Sequence, residues 1–283
     1  MPVDIDVALV RRLLAVQFPR WAGLPVERFA SQGTVNAIFR LGDDLAVRMP
    51  LQEEDVAAEA RLLAGLAPVP VEIPVPLAVG EPAEGYPWAW SVQRWLPGAP
   101  IGLDSSVDRE QLADDLAAFI TALRRTDIAG APRAYRGGPL AELDEGVRKA
   151  IADLEGVIDA DAATAVWETA LAAPSYTGPG VWAHADLQPG NLLAEDGRLS
   201  AVIDFGTAGI ADTASDMTVA WSLLTGPARD RFRRALGADD ATWTRSRGLA
   251  LAIALPELSY YRGGRNDWMA TIAEHVIGQT LAP

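Results

Sequence analysis

Apolar and polar positions alternate with two different periods along this chain, and the period changes about a third of the way in. Residues 4–18 set Leu9, Val10, Leu13 and Leu14 on one side of a helix that Pro19 ends. Short extended runs follow at 26–32, 35–41 and 45–49, the last two joined through Gly42-Asp43-Asp44 as a hairpin. A helix is predicted over 52–66, with Val56, Leu63 and Leu66 as its apolar stripe and Glu59 lying on that stripe. Pro68, Pro70, Pro74 and Pro76 stiffen the next connection. Trp88, Trp90 and Val92 then alternate as in a half-buried strand that runs to Pro97-Gly98.

Beyond Gly98 the period becomes helical. Residues 105–125 carry the stripe Leu112, Leu116, Phe119, Ile120 and Leu123 behind a capping pattern, Ser105-x-x-Asp108. Gly137-Gly138-Pro139 breaks the pattern, and 140–173 reads as two helices whose acids, Asp144, Glu145, Asp153 and Glu155, are expected on solvated faces. Residues 216–281 are helical again, interrupted at Gly226-Pro227 and Gly263-Gly264.

Between these helical blocks lies 181–206, VWAHADLQPGNLLAEDGRLSAVIDFG. Asp196-Gly197 between two apolar runs is a two-residue hairpin signal. A turn centred there brings Asn191 and Asp204 to the same end of one ribbon. Two oxygen donors side by side make half of a magnesium site, the remaining ligands being waters and substrate phosphates. Asp186, in the tight loop with Pro189-Gly190, falls beside that site and is suited to take a proton from a substrate hydroxyl.

Composition narrows the classes. The 283 residues are 49% hydrophobic, enough for one large domain or two lobes with a real core. There is no cysteine, which rules out disulfides and thiolate metal sites, and the two histidines stand far apart. Net charge is −14. That field repels nucleic acid and anionic membrane and attracts cations; it serves solubility, a cationic substrate, or both. The N-terminus lacks a signal-peptide core and no apolar run is long enough to span a membrane, so a cytoplasmic location is expected.

The order His184-x-Asp186-x-x-x-x-Asn191, with Asp204-Phe205-Gly206 thirteen residues after the Asn, resembles the aminoglycoside phosphotransferases, antibiotic kinases built on the protein-kinase fold. The resemblance implies an α+β, two-lobed, protein-kinase-like fold. Its N-terminal nucleotide-binding lobe, a small antiparallel sheet plus a helix, would be residues 1–96. The larger, mainly helical catalytic and substrate-binding lobe would be 97–283. It also implies roles: Asp186 as base, Asn191 and Asp204 as magnesium ligands, His184 as the brace of the catalytic loop, and Asp216 as acceptor of that loop's backbone hydrogen bonds. Gly33-Thr34 would approach the triphosphate of ATP or GTP, and main-chain groups near Arg94 and Leu96 would hold the base. Arg48 departs from the pattern, since protein kinases place a lysine on this strand. Glu59, a carboxylate on an apolar face, needs a cation, and Arg48 is its natural partner. Glu257, near the last helical break with Tyr260 and Tyr261, is a candidate for binding the acceptor.

The activity implied is transfer of the γ-phosphate of ATP or GTP to a hydroxyl of a small, cationic molecule, an aminoglycoside first. A macrolide or small-metabolite kinase is the alternative, as is a nucleotide-binding pseudokinase, suggested by Arg48. A metal-dependent hydrolase built on Asp186, Asn191 and Asp204 is a third reading. ATP versus GTP and the oligomeric state are open at this stage.

Overall fold

The computed structural model describes residues 4–30 and 35–282. The chain divides into two compact units: Met1–Leu66, Glu72–Gly98 and Ala201–Ile203 form the first, and Ala67–Val71, Ala99–Ser200 and Asp204–Pro283 the second.

The first unit holds α1 (Val7–Gln17), β1 (Val26–Phe29), β2 (Asn36–Leu41), β3 (Leu45–Pro50), α2 (Val56–Gly65), β4 (Pro76–Gly80) and β5 (Trp90–Arg94). The strands form one antiparallel sheet in the order β1-β2-β3-β5-β4. Helix α1 begins on Asp6, whose carboxylate accepts the Leu9 amide at 2.7 Å, and the expected stripe Leu9, Val10, Leu13 and Leu14 is buried. It packs with Phe39, Val47, Met49, Trp90 and Val92 into this unit's core.

Two expectations need correcting here. Helix α2 starts at Val56, later than the pattern predicts, because the Asp55 carboxylate accepts the Ala58 amide and so ends the preceding segment. Strand β5 starts at Trp90 and leaves Trp88 outside it; Trp90, Ser91 and Val92 are all buried, so β5 is a central strand covered on both faces rather than a half-buried one.

The second unit contains β6 (Ala99–Pro100), α3 (Arg109–Leu123), α4 (Asp144–Asp153), α5 (Ala160–Ala172), β7 (Val181–Ala183), β8 (Leu192–Glu195), β9 (Arg198–Val202), β10 (Gly209–Ala211), α6 (Val219–Leu223), α7 (Gly226–Ala235), α8 (Asp240–Tyr261) and α9 (Asp267–Leu281), with the end of β9 grouped in the first unit. Helix α3 is capped by Asp108, which accepts the amides of Glu110 and Gln111. Ser105 is not the cap; its hydroxyl accepts the Gly102 amide and closes the turn before it. Asp144 does more than face water, since it accepts the indole N–H of the buried Trp167 at 2.8 Å.

Asp196 and Gly197 both have positive φ, 50° and 77°, the geometry that a two-residue hairpin with native strand twist requires. That turn makes β8 and β9 neighbours, and β6 pairs on the other side of β8. β7 pairs antiparallel with β10, Ala183 facing Gly209. The fold is thus α+β, an antiparallel sheet with a helix followed by a mainly helical unit. Among the described residues no helix is long and apolar enough to cross a membrane.

Candidate active site

Four of the expected residues, His184, Asp186, Asn191 and Asp216, meet at the loop after β7. Ala183 ends the strand in register with Gly209, and the chain then turns sharply through Ala185, a non-glycine residue at φ 63°. That conformation costs roughly 1 kcal/mol or more unless its surroundings hold it. Asp216 does so: its two carboxylate oxygens accept the amides of His184 and Ala185 at 3.0 and 2.8 Å. Asp216 is buried in a short 3-10 turn, Ser215–Thr218, rather than in a regular helix. Burial pushes its carboxyl up, against the pull of His184, the two amides and Arg124. Asp212, the other acid of this segment, is engaged elsewhere: it takes Arg245 at 2.7 Å and the Ala214 amide at 3.0 Å.

His184 has no exposed surface. Its Nδ1 accepts the Asp186 amide at 3.3 Å, its carbonyl accepts the Thr207 hydroxyl at 2.9 Å, and its ring meets Phe205 edge-on at 4.5 Å. It ties the Asp186 loop to the Asp204-Phe205-Gly206 turn. With no surface open to solvent, its ring braces the loop through these contacts.

Asp186 is the hub. Its Oδ2 accepts Gln188 Nε2 at 3.0 Å and Asn191 Nδ2 at 2.9 Å, and Asn191 Nδ2 also donates to the Asp186 carbonyl at 3.0 Å. Its Oδ1 pairs with Arg136. With its nitrogen committed to Asp186, Asn191 has its amide oxygen as the donor for a cation. Asp204 follows β9 at φ 66°, which turns the chain out of the ribbon at the carboxylate. An amide oxygen and a carboxylate are hard donors suited to magnesium. Among the described residues no group of three His, Cys, Asp or Glu side chains is arranged to hold a metal. Any magnesium would therefore have to be held by these two oxygens together with waters and nucleotide phosphates.

Arg136 and Gln188 are site residues that the sequence reading does not single out. Arg136 lies on a segment that runs beside β10, where the Ala134 amide donates to Ile210 at 3.0 Å and the Tyr135 amide to Thr207 at 3.1 Å. The next residue has to be glycine, since a Cβ on Gly137 would lie 2.5 Å from the Ile210 carbonyl. From there Arg136 reaches Asp186 and also Glu257 of α8, at 3.4 Å. Only the glycine pair in Tyr135-Arg136-Gly137-Gly138 hints at a special place, because the two carboxylates stand 50 and 121 positions away.

Glu257 is half-buried, and burial pushes its carboxyl up to about 7, opposed by Arg136 and reinforced by Asp186. A folded-state value raised above the ordinary 4.5 means that the native protein holds this proton more tightly. The resulting stability is full below the unfolded value and is lost as pH rises through 7. By linkage this amounts to about 3 kcal/mol by pH 8. Glu257→Gln, which stays neutral, is therefore expected to melt higher than wild type at pH 8 and level with it near pH 4. Equal melting temperatures across that range would show that Glu257 is ionised without cost.

In the first unit, Arg48 pairs with Glu59, and its other nitrogen reaches Glu54 at 2.9 Å, a partner not foreseen. Both Arg48 and Glu59 are mostly buried. Arg94 ends β5 opposite Leu45 with an exposed side chain, and Leu96 is buried. Gly33 and Thr34 lie outside the described residues.

A family model described as the phosphotransferase enzyme family matches residues 26–249. A curated relative, an aminoglycoside 3'-phosphotransferase from Escherichia coli, is 26% identical over 146 residues, which is 48% of this chain and 53% of the relative. The chain thus spans about half the length of that relative. Among solved structures, the GDP and kanamycin complex of APH(2")-IIia superposes with a TM-score of 0.72 at 20% identity, over 96% of this chain and 97% of that one. The apoenzyme of a macrolide 2'-phosphotransferase from Brachybacterium faecium gives 0.63 at 22% identity, over 96% and 97%. At such identities the likeness is one of fold, and it is the kinase-like α+β fold expected from the sequence. With most of its length matched by the family model, this chain belongs to the phosphotransferase enzyme family.

Proposed function

We propose that this protein transfers the γ-phosphate of ATP or GTP to a hydroxyl of a small molecule, an aminoglycoside-type antibiotic first, and so acts as a resistance kinase. The observation that carries this reading is the Asp216–His184–Asp186–Asn191 network. It fixes one carboxylate and one amide oxygen on a loop that cannot relax, as transfer by positioning and charge stabilisation demands. The family match and the relatives named above support the same chemistry.

On this reading residues 1–96 form the nucleotide-binding lobe, where Gly33, Thr34, Arg48, Arg94 and Leu96 contact nucleotide and Glu59 orients Arg48. Residues 97–283 form the catalytic and substrate-binding lobe. Asn191 and Asp204 would hold magnesium, which neutralises phosphate charge when bound. Asp186 orients the acceptor hydroxyl and accepts its proton, with Gln188 and Asn191 keeping the carboxylate aimed. Glu257 contributes to the acceptor side. The Arg48–Glu59 pair supports a working nucleotide clamp despite the missing lysine, because a guanidinium also binds phosphate oxygens. The substrate is expected to be cationic and hydroxylated, and the location cytoplasmic.

The test is a coupled nucleotide-turnover assay with magnesium and ATP or GTP against aminoglycosides, macrolides and small hydroxylated amines. Turnover stimulated by one cationic antibiotic supports the reading. Nucleotide binding with no stimulated turnover across the panel removes it.

A further inference from the structure

The acceptor side of Asp186 already contains a cation. Arg136 bridges Asp186 Oδ1 and Glu257 Oε1 with its two terminal nitrogens. The other oxygen of Asp186 is held by Gln188 and Asn191. An acceptor hydroxyl therefore reaches this carboxylate at Oδ1, the atom that Arg136 holds. Access is open, since the Arg136 side chain keeps 22% of its surface exposed. Its backbone is fixed beside β10, so a change here is a swing of the side chain and not of the chain.

Displacement has a consequence for charge. With the guanidinium withdrawn, Asp186 loses its counterion, and its charge together with burial drives Glu257 further toward the protonated form. A neutral alcohol leaves that penalty in place. An acceptor with an ammonium group near its hydroxyl removes it by taking the vacated position.

We propose that Arg136 is a specificity-determining residue of the acceptor site: it holds the ammonium position between Asp186 and Glu257, so that a hydroxylated amine enters by replacing it. This rests on the phosphotransferase reading for its biological meaning, but binding alone tests it. Kanamycin is titrated calorimetrically into the nucleotide-free full-length protein, into Arg136→Gln, into Glu257→Gln and into Arg133→Gln. Arg133→Gln makes the same change in net charge nearby, at an exposed residue paired with Glu142. Removing the internal competitor is expected to tighten binding by about tenfold or more, and Glu257→Gln to weaken it by about as much. Arg133→Gln is expected to shift it by less than about twofold.

Equal or weaker binding by Arg136→Gln overturns the inference. So does an equal gain in Arg133→Gln, which would mark a general charge effect, and so does the absence of kanamycin binding in all four proteins. If Arg136→Gln does not fold, the Glu257→Gln arm decides, and unchanged affinity there overturns it. Acceptor-stimulated turnover by the wild type is scored separately, so the phosphotransferase reading stands or falls on its own.

Discussion

Asp186→Ala is expected to lower acceptor-stimulated turnover by about 10²- to 10⁴-fold, the range for a positioned proton acceptor, while nucleotide affinity stays near wild type. Asp186 is the one carboxylate in the loop that both oxygens' partners hold in place: Arg136 on Oδ1, Gln188 and Asn191 on Oδ2. On the proposed reading, truncation removes the group that would aim the hydroxyl but leaves the first unit's Arg48–Glu59 pair untouched. Asp204→Ala is expected to bring turnover below detection and to weaken magnesium-dependent nucleotide binding as well, because loss of the proposed metal ligand would remove charge stabilisation as well as positioning. Single-turnover kinetics beside nucleotide titration in both variants separates the two effects. Wild-type turnover in Asp204→Ala would sink the assignment.

The second large effect is expected on stability. Asp216→Ala strands the buried amides of His184 and Ala185, each at a cost of about 1–3 kcal/mol. It also releases the left-handed Ala185 that those bonds hold. Together with the loss of a buried carboxylate beside Arg124, a destabilisation of about 3–5 kcal/mol is expected. Turnover should fall even at temperatures where the variant stays folded, because the Asp186 loop hangs on the same two bonds. Asp216→Asn keeps the shape but turns one amide nitrogen toward a backbone donor, so its midpoint should fall between wild type and alanine. Denaturant midpoints and turnover at low temperature check this. A wild-type midpoint for Asp216→Ala would show that the loop is held by something else.

Much of this was written in local sequence. The stripe of α1, the Asp196-Gly197 turn and the antiparallel N-terminal strands follow from apolar period and turn chemistry, which act within a few residues. The site loop was legible for the same reason, since Asp186 and Asn191 lie five residues apart and bond each other directly. The Arg48–Glu59 pair could be inferred because a carboxylate on an apolar helix face demands a cation. Helix starts were less legible. At α2 and α3 an aspartate competes with other polar residues for the cap, and only the folded backbone decides which side chain reaches the free amides.

Tertiary structure alone decided the rest. Nothing local marks Arg136 as the partner of Asp186 and Glu257, because that contact depends on the segment 132–137 lying along β10 and on α8 approaching from elsewhere in the chain. The bracing part implied for His184 depends likewise on packing, since its ring is fully buried against Phe205. Local sequence thus indicated which side chains to place in the proposed site. Only packing, which sums contacts over distant positions, determined that Asp186 and Glu257 share Arg136.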